Sequence, residues 1–282
     1  MKMSKVYLVP TPIGDLGDIT LRALEVLKNV DLIAAEDTRQ TLKLLNHFEI
    51  KKPLISYHKH NEQGKGEEIL RRVKEGTSVA IVSDAGTPGI SDPGSVVVEK
   101  CIEEGIEFEV LPGATAFTTA LIYSGLDTTK FMFKGFFPRE NKDKRSFIED
   151  IKDRTETIII YESPYRILDT IDTLKEGLGN RKVAICRELT KLHEEIFRGT
   201  LEEAKIHFEE NAPKGEFVCV ISGKTDKEIE EENTSKWISM SIEEHIIHYI
   251  DNEGMKKKDA IKQVAKDRGV AKSEIYKFSL DI

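Results

Sequence analysis

No apolar run in the 282 residues reaches the ~18 that a membrane helix needs. The apolar stretch Val6–Val9 behind Met1–Lys5 is too short for a secretory signal. Cysteine is scarce: Cys101, Cys186 and Cys219 lie far apart, each inside an apolar segment, which gives neither a disulfide framework nor metal-ligand spacing. The G-x-G-x-x-G spacing of a dinucleotide fingerprint is also missing after the first strand-like run. Two prolines there, Pro10 and Pro12, remove N–H donors that a phosphate cradle would use. A membrane protein, a secreted mini-protein and a zinc module are thereby excluded, and a nicotinamide enzyme or P-loop nucleotidase is disfavoured. Buried thiols in a cytoplasmic protein, with no bound metal, are the expectation.

What is present is charge, unevenly placed. The hydrophobic fraction of 39% and charged fraction of 33% describe a chain able to build real cores, and the net charge is −8. Residues 254–282 nevertheless carry +4, which leaves −12 on residues 1–253. An acidic body with a basic end-piece predicts a local contact with any polyanion.

Short β-branched runs alternate with amphipathic stretches from the start. Val6–Pro10, Asp31–Glu36, Leu54–Tyr57, Ser78–Ser83 and Phe108–Leu111 read as strands. Between them, helices follow Asp18 (as cap) and Thr38, one contains Ile69, Leu70 and Val73, and others occupy Val96–Glu104 and Thr115–Tyr123. This alternation predicts a mostly parallel sheet flanked by helices. After a pause at Ser124–Asp127 come strands at Phe131–Phe137, Thr157–Tyr161, Val183–Cys186 and Phe217–Ile221. Ser163-Pro164 is expected to start a helix, and Thr200–Glu203 to form a capping box. The expected organisation is two successive α/β domains, residues 1–124 and 125–223. A polar linker at 224–236 and a small helix-turn-helix-like module at 237–282 follow.

Open α/β sheets bind ligands beyond the carboxyl ends of their strands. Three loops there stand out. Pro10–Asp18 leads from strand to helix, where an ordinary turn reads as well as a binding loop. Ser83–Gly94 packs three glycines, two prolines and two aspartates into twelve residues: room for a ligand to approach backbone, stiffness, and carboxylates for ribose hydroxyls or an ammonium. Leu111–Ala116 again joins strand to helix through small residues. Glu36–Arg39, Tyr161–Arg166 and Arg187–Glu195 add titratable groups at other strand ends. Each alone reads as a solvated loop; together they suggest one cleft shared by the two domains.

The segments 9–27 (VPTPIGDLGDITLRALEVL), 35–39 (AEDTR), 83–94 (SDAGTPGISDPG), 112–116 (PGATA), 161–166 (YESPYR) and 187–195 (RELTKLHEE) carry a resemblance over residues 5–223. In order and spacing they resemble the bacterial ribosomal RNA small subunit methyltransferase I family. That family belongs to the tetrapyrrole-methylase superfamily of class III S-adenosylmethionine-dependent methyltransferases. The resemblance implies two α/β domains with S-adenosylmethionine in the cleft between them, in a homodimer. It also implies methylation of a cytidine 2′-hydroxyl in 16S rRNA, near the P-site part of the decoding centre. Carried over by position, it places Pro12, Gly14, Asp84, Ala85, Thr87, Ala114 and Thr115 on the cofactor, with Tyr161, Arg187 and Gly215 as further contacts. Tyr165 stands where the family motif has His, which puts a base role there in doubt.

A ribose hydroxyl is a poor nucleophile at neutral pH, so a nearby base or cation is expected; the candidates are Asp37, Glu188 and Lys191. Arg39 and Arg187 would hold flanking phosphates through bidentate contacts. In the basic module, RNA contact is expected through Lys256, Lys257, Lys258, Lys262, Lys266, Arg268 and Lys272, although a module that merely supports the fold would look similar. Rival readings are a porphyrinoid or diphthine-type methylase, and a ligand-sensing nucleic-acid-binding regulator without turnover.

Overall fold

The run Val79–Val82 (β4) is apolar at every position because both of its faces are covered. In the computed structural model, which describes residues 4–211, 214–229, 237 and 239–280, β4 is the middle strand of the first sheet. It pairs in parallel with β1 (Val6–Leu8) and β2 (Leu32–Ala35), Val79 lying opposite both Val6 and Leu32. The edges are β3 (Leu54–Ser56) and β5 (Phe108–Val110), giving the order β3-β2-β4-β1-β5. Alternation along β4 sends Val79 and Ile81 to the face covered by α3 (Glu62–Lys74) and α4 (Ser95–Glu104). Ala80 and Val82 face α1 (Leu21–Asn29) and α2 (Thr38–His47). Full burial of each Leu or Ile here contributes about 1.5–3 kcal/mol.

The second sheet is mixed: β6 (Phe131–Phe136) runs parallel to β7 (Thr157–Glu162). Next come β10 (Phe217–Ile221), β8 (Lys182–Arg187) and β9 (Glu195–Thr200), all antiparallel to their neighbours. One face carries α6 (Asn141–Ile151), α7 (Ile167–Leu178) and α8 (Leu201–Glu210). The other is covered by α5 (Ala116–Ser124), whose Ala120 and Leu121 pack on Ile159, Ala184, Val218 and Val220. A helix that follows the first sheet therefore roofs the second. Both sheets lie in one compact unit, Met1–Gly223.

Several local expectations need correction. Asp18 does not cap α1. Thr20 does, accepting the Ala23 N–H at 3.0 Å, while Asp15 caps a single 3-10 turn at Leu16–Asp18. Ser163-Pro164 opens a turn, and α7 starts only at Ile167. The capping box at Thr200 and Glu203 is present as expected.

The second unit, Lys224–Ile282, has its own core of Trp237, Ile246, Tyr249, Ile261, Val264 and Ile275. It comprises α9 (Ile242–Asp251), α10 (Lys257–Asp267) and α11 (Lys272–Tyr276), with a turn at Gly269 between the last two. Residues 230–236 of the expected linker lie outside the described residues. Among the described residues no helix is long and apolar enough to cross a membrane, and no group of His, Cys, Asp and Glu is placed to hold a metal ion.

Candidate active site

Because β1 and β4 are neighbours, the loops that leave their carboxyl ends meet. Thr11 and Gly86 exchange backbone hydrogen bonds at 2.9 and 3.0 Å, and the Thr11 hydroxyl donates to the Ser83 carbonyl. The Thr87 hydroxyl donates to the Ala114 carbonyl at 3.0 Å, which ties in the loop after β5. The three loops singled out in the sequence are thus one hydrogen-bonded wall. The second sheet closes on it at Gly14, where a Cβ would lie 2.5 Å from Thr190 Oγ1 and 2.8 Å from the Leu189 carbonyl. Only glycine permits that approach, and the adjacent Asp15 N–H donates to Thr190 Oγ1 at 3.0 Å.

Between these walls lies a cavity of about 390 Å³, within the range of small-molecule sites, bounded by Asp84–Thr87, Thr115, Tyr161 and Lys191. A second cavity of about 410 Å³, reached by Pro12 and Gly14, shares Ile13, Asp84, Ala85, Lys191 and Glu216 with it. One cleft therefore offers two adjoining compartments.

The first compartment is acidic. Glu36, Asp84 and Asp92 all line it. Burial raises the pKa of each, and mutual repulsion adds to this at Glu36 and Asp92. Asp92 is pushed up to about 7 by burial and by Glu36 and Asp84, with Lys59 opposing. At the far wall Lys191 bridges Glu188 at 2.9 Å and Glu216 at 2.8 Å. Burial works against its charge, but the two carboxylates outweigh it and hold its pKa above the ordinary value. A carboxylate-rich pocket with apolar patches from Ile13, Ala116 and Phe136 suits a cationic sulfonium that carries an adenosyl group. Asp84, Thr87 and Thr115 are among the residues that line the pocket.

The raised acids have a consequence for stability. Asp92 in the unfolded chain titrates near 3.9, so between that pH and about 7 the folded protein binds more protons than the unfolded one. Stability accordingly falls as pH rises through that window. Asp92→Asn should melt higher than the wild type at pH 8 and show no such gain at pH 4, by calorimetric melting.

Of the expected cofactor contacts, Asp84, Ala85, Thr87, Thr115 and Tyr161 line the first compartment, and Pro12 and Gly14 the second. Ala114 contributes its carbonyl to Thr87 rather than a wall. Arg187 turns onto Glu195, its Nε 2.9 Å from Oε2. Gly215, at φ +85°, leaves room for Glu188, since a Cβ there would fall 2.4 Å from that side chain. Asp37 departs most from expectation. It caps α2 through the Arg39 N–H and pairs with the Arg39 guanidinium at 2.7 and 3.1 Å. That pairing holds its pKa down to about 2, far too acidic for a base, and it lines neither compartment. Arg39, though 86% exposed, is correspondingly engaged by Asp37. Glu188 and Lys191 reach the cavity but neutralise each other; burial works against Glu188's charge, yet Lys191 and the Glu216 N–H leave its pKa lowered. Tyr165 is 95% exposed and lines neither compartment. Glu36 and Asp92 are wall residues that sequence reasoning did not select.

In the second unit, Lys256, Lys257, Lys258, Lys262, Lys266 and Lys272 are all exposed. Lys258, Lys262 and Lys266 recur every four residues along α10 and so share a face. Arg268 does not belong with them. Its guanidinium donates to the carbonyls of Trp237 and Met240 at 2.7 Å and of Ser241 at 3.0 Å, and to His245 Nδ1, which makes it a structural tie.

Comparison with known proteins fits this geometry. The family profile described as Tetrapyrrole (Corrin/Porphyrin) Methylases matches residues 5–205. The chain is 52% identical over 271 residues to the protein named ribosomal RNA small subunit methyltransferase I of Halalkalibacterium halodurans, covering 96% of this chain and 93% of that one. A protein of the same name from Thermotoga maritima is 51% identical over 222 residues, 79% of this chain and 100% of its own. Among solved structures, uroporphyrin-III-C-methyltransferase from Thermus thermophilus shares the fold at a TM-score of 0.57 and 21% identity, over 77% of this chain and 94% of that one.

Proposed function

The chain belongs to the ribosomal RNA small subunit methyltransferase I family of tetrapyrrole-type methylases, and from that premise we propose the following reaction. A methyl group passes from S-adenosylmethionine to the ribose 2′-hydroxyl of a cytidine in 16S rRNA, near the P-site part of the decoding centre. The observation that carries the donor half is the acidic cavity where the loops after β1, β4 and β5 converge. The donor supplies an already activated methyl group, so this chain's task is chiefly alignment. Asp84, Thr87 and Thr115 hold the donor, and the two adjoining compartments leave room beside it for the acceptor nucleotide. Identity of about one half to proteins named for ribosomal RNA, against about one fifth for a tetrapyrrole enzyme, favours RNA over a porphyrinoid acceptor. The site of action would be the cytoplasm.

The basic module would hold the RNA backbone through Lys256, Lys258, Lys262 and Lys266. A chain truncated after Lys236 should keep donor binding, because each unit has its own core. Its affinity for small ribosomal subunits should drop, with a log–log salt slope shallower by about 3. Affinity unchanged at low and high salt would contradict this. We also infer a homodimer, consistent with Ile122 (72% exposed) and Phe131 (42% exposed) left open on α5 and β6; sedimentation at micromolar concentration checks it.

The decisive assay offers labelled S-adenosylmethionine with small ribosomal subunits or with a corrinoid precursor. Label should appear on a 16S ribose. Label on the corrinoid, or donor binding without any turnover, would support the porphyrinoid or the sensor reading instead.

A further inference from the structure

Six acidic residues line the first compartment: Glu36, Asp84, Asp92, Glu162, Glu188 and Glu216. Five of them are held by protein donors. Glu36 receives the Asp84 N–H, Asp84 the Asp37 N–H at 2.9 Å, and Glu188 and Glu216 share Lys191. Glu162 is buried under Arg166, Thr170 and the Ser163 N–H. Asp92 is different: it lines the cavity, and among the described residues no hydrogen-bond donor reaches its carboxylate.

Its backbone, by contrast, is fixed. The loop closes on itself through the Gly89 N–H and the Pro93 carbonyl, and Gly94 sits at φ +143°, where a Cβ would strike Gly89 N at 2.9 Å. Ser91 is held at φ +63°, an uncommon conformation for a non-glycine residue, and its carbonyl takes Lys59 Nζ at 3.4 Å. A rigid turn thus presents a free carboxylate to the cavity.

We propose that Asp92 is the catalytic base that takes the proton from the acceptor hydroxyl, an assignment that rests on the methyl-transfer reading above. The hydroxyl oxygen forms the bond to the methyl carbon as the carbon–sulfur bond breaks and its electron pair stays on sulfur. The hydroxyl proton moves to the Asp92 carboxylate and is later lost to water. The charged groups around it are Glu36 from the end of β2, Asp84 from the end of β4, Glu216 before β10, and Lys59 after β3. The three carboxylates disfavour its ionised form in the empty site, whereas a cationic donor favours it. Donor entry therefore deprotonates Asp92 and leaves its carboxylate able to accept a proton at neutral pH.

The test uses the full-length protein and Asp92→Asn, with Asp92→Glu as the conservative variant. Calorimetry with S-adenosylmethionine at pH 7, in two buffers of different ionisation enthalpy, should show proton release by the wild type and none by Asp92→Asn. The same titration shows that the variant folds and binds. Single-turnover methylation of small ribosomal subunits should fall about 10²- to 10⁴-fold in Asp92→Asn and recover in part in Asp92→Glu. A wild type that methylates subunits alongside an Asp92→Asn variant of equal rate would remove Asp92 alone, as would undiminished proton release. A wild type that binds donor but methylates no ribosomal RNA would remove the reading beneath it, and this assignment with it.

Discussion

Ala85→Trp should weaken binding of S-adenosylmethionine on the order of 100-fold or more while leaving the fold intact. Ala85 lines both compartments of the cleft and is exposed, so its methyl group faces ligand space and not a packed core. An indole there occupies volume that the adenosyl donor needs, and the loop cannot retreat: Gly86 is pinned to Thr11 from both sides and Thr87 to Ala114. A ligand denied such a compartment loses its contacts outright, a weakening on the order of 100-fold or more, equivalent to about 3 kcal/mol. Titration calorimetry reads the loss, and an unchanged melting temperature separates blockage from misfolding. Wild-type affinity in Ala85→Trp would show that the donor binds elsewhere.

Glu162→Ala should be among the most destabilising single changes in the first unit. The Glu162 side chain is fully buried at the end of β7, 2.7 Å from Arg166 and from the Thr170 hydroxyl, and it also accepts the Ser163 N–H at 2.6 Å. Removing it takes the carboxylate from the Arg166 guanidinium, which among the described residues is left with the carbonyls of Phe137 and Pro138. Breaking a buried pair from one side costs about 3–5 kcal/mol. Urea unfolding should show the midpoint lowered by that free energy divided by the m-value, with m itself unchanged. Glu162→Gln, which keeps an acceptor for Thr170, should lose less. Because Glu162, Ser163 and Pro164 form one cavity wall, donor affinity should weaken in parallel.

The parts of this molecule that could be read from its sequence were those where one physical requirement fixes residue type. A strand covered on both faces must be apolar throughout, and β4 announces itself for that reason. Loops that must admit a ligand to the backbone need small residues, which made Ser83–Gly94 conspicuous. Edge strand β9 was missed because Glu195 and Arg198, solvated side chains of a sheet margin, break the apolar pattern. Helix α6 was missed because its apolar face rests on little more than Phe147, Ile148 and Ile151. Asp37 shows why site roles are harder: an aspartate before a helix serves equally as cap or as base, and only its bond to Arg39 decides. Glu36 comes from a different segment than Asp84 and Asp92, and nothing local in the sequence says that the three residues line one cavity. The two aspartates of the Ser83–Gly94 loop were the available signal for Asp92.

In the proposed reaction the wall formed by Thr11, Gly86 and Thr87 is one side of a methyl-donor site. A crystal structure of the protein grown with S-adenosylmethionine tests it most directly. The account predicts one donor per chain, its sulfonium beside Asp84 and Asp92 and its remainder against Ala85–Thr87 and Thr115. Density for the donor at any other place, or a cleft left empty at saturating concentration, would contradict it.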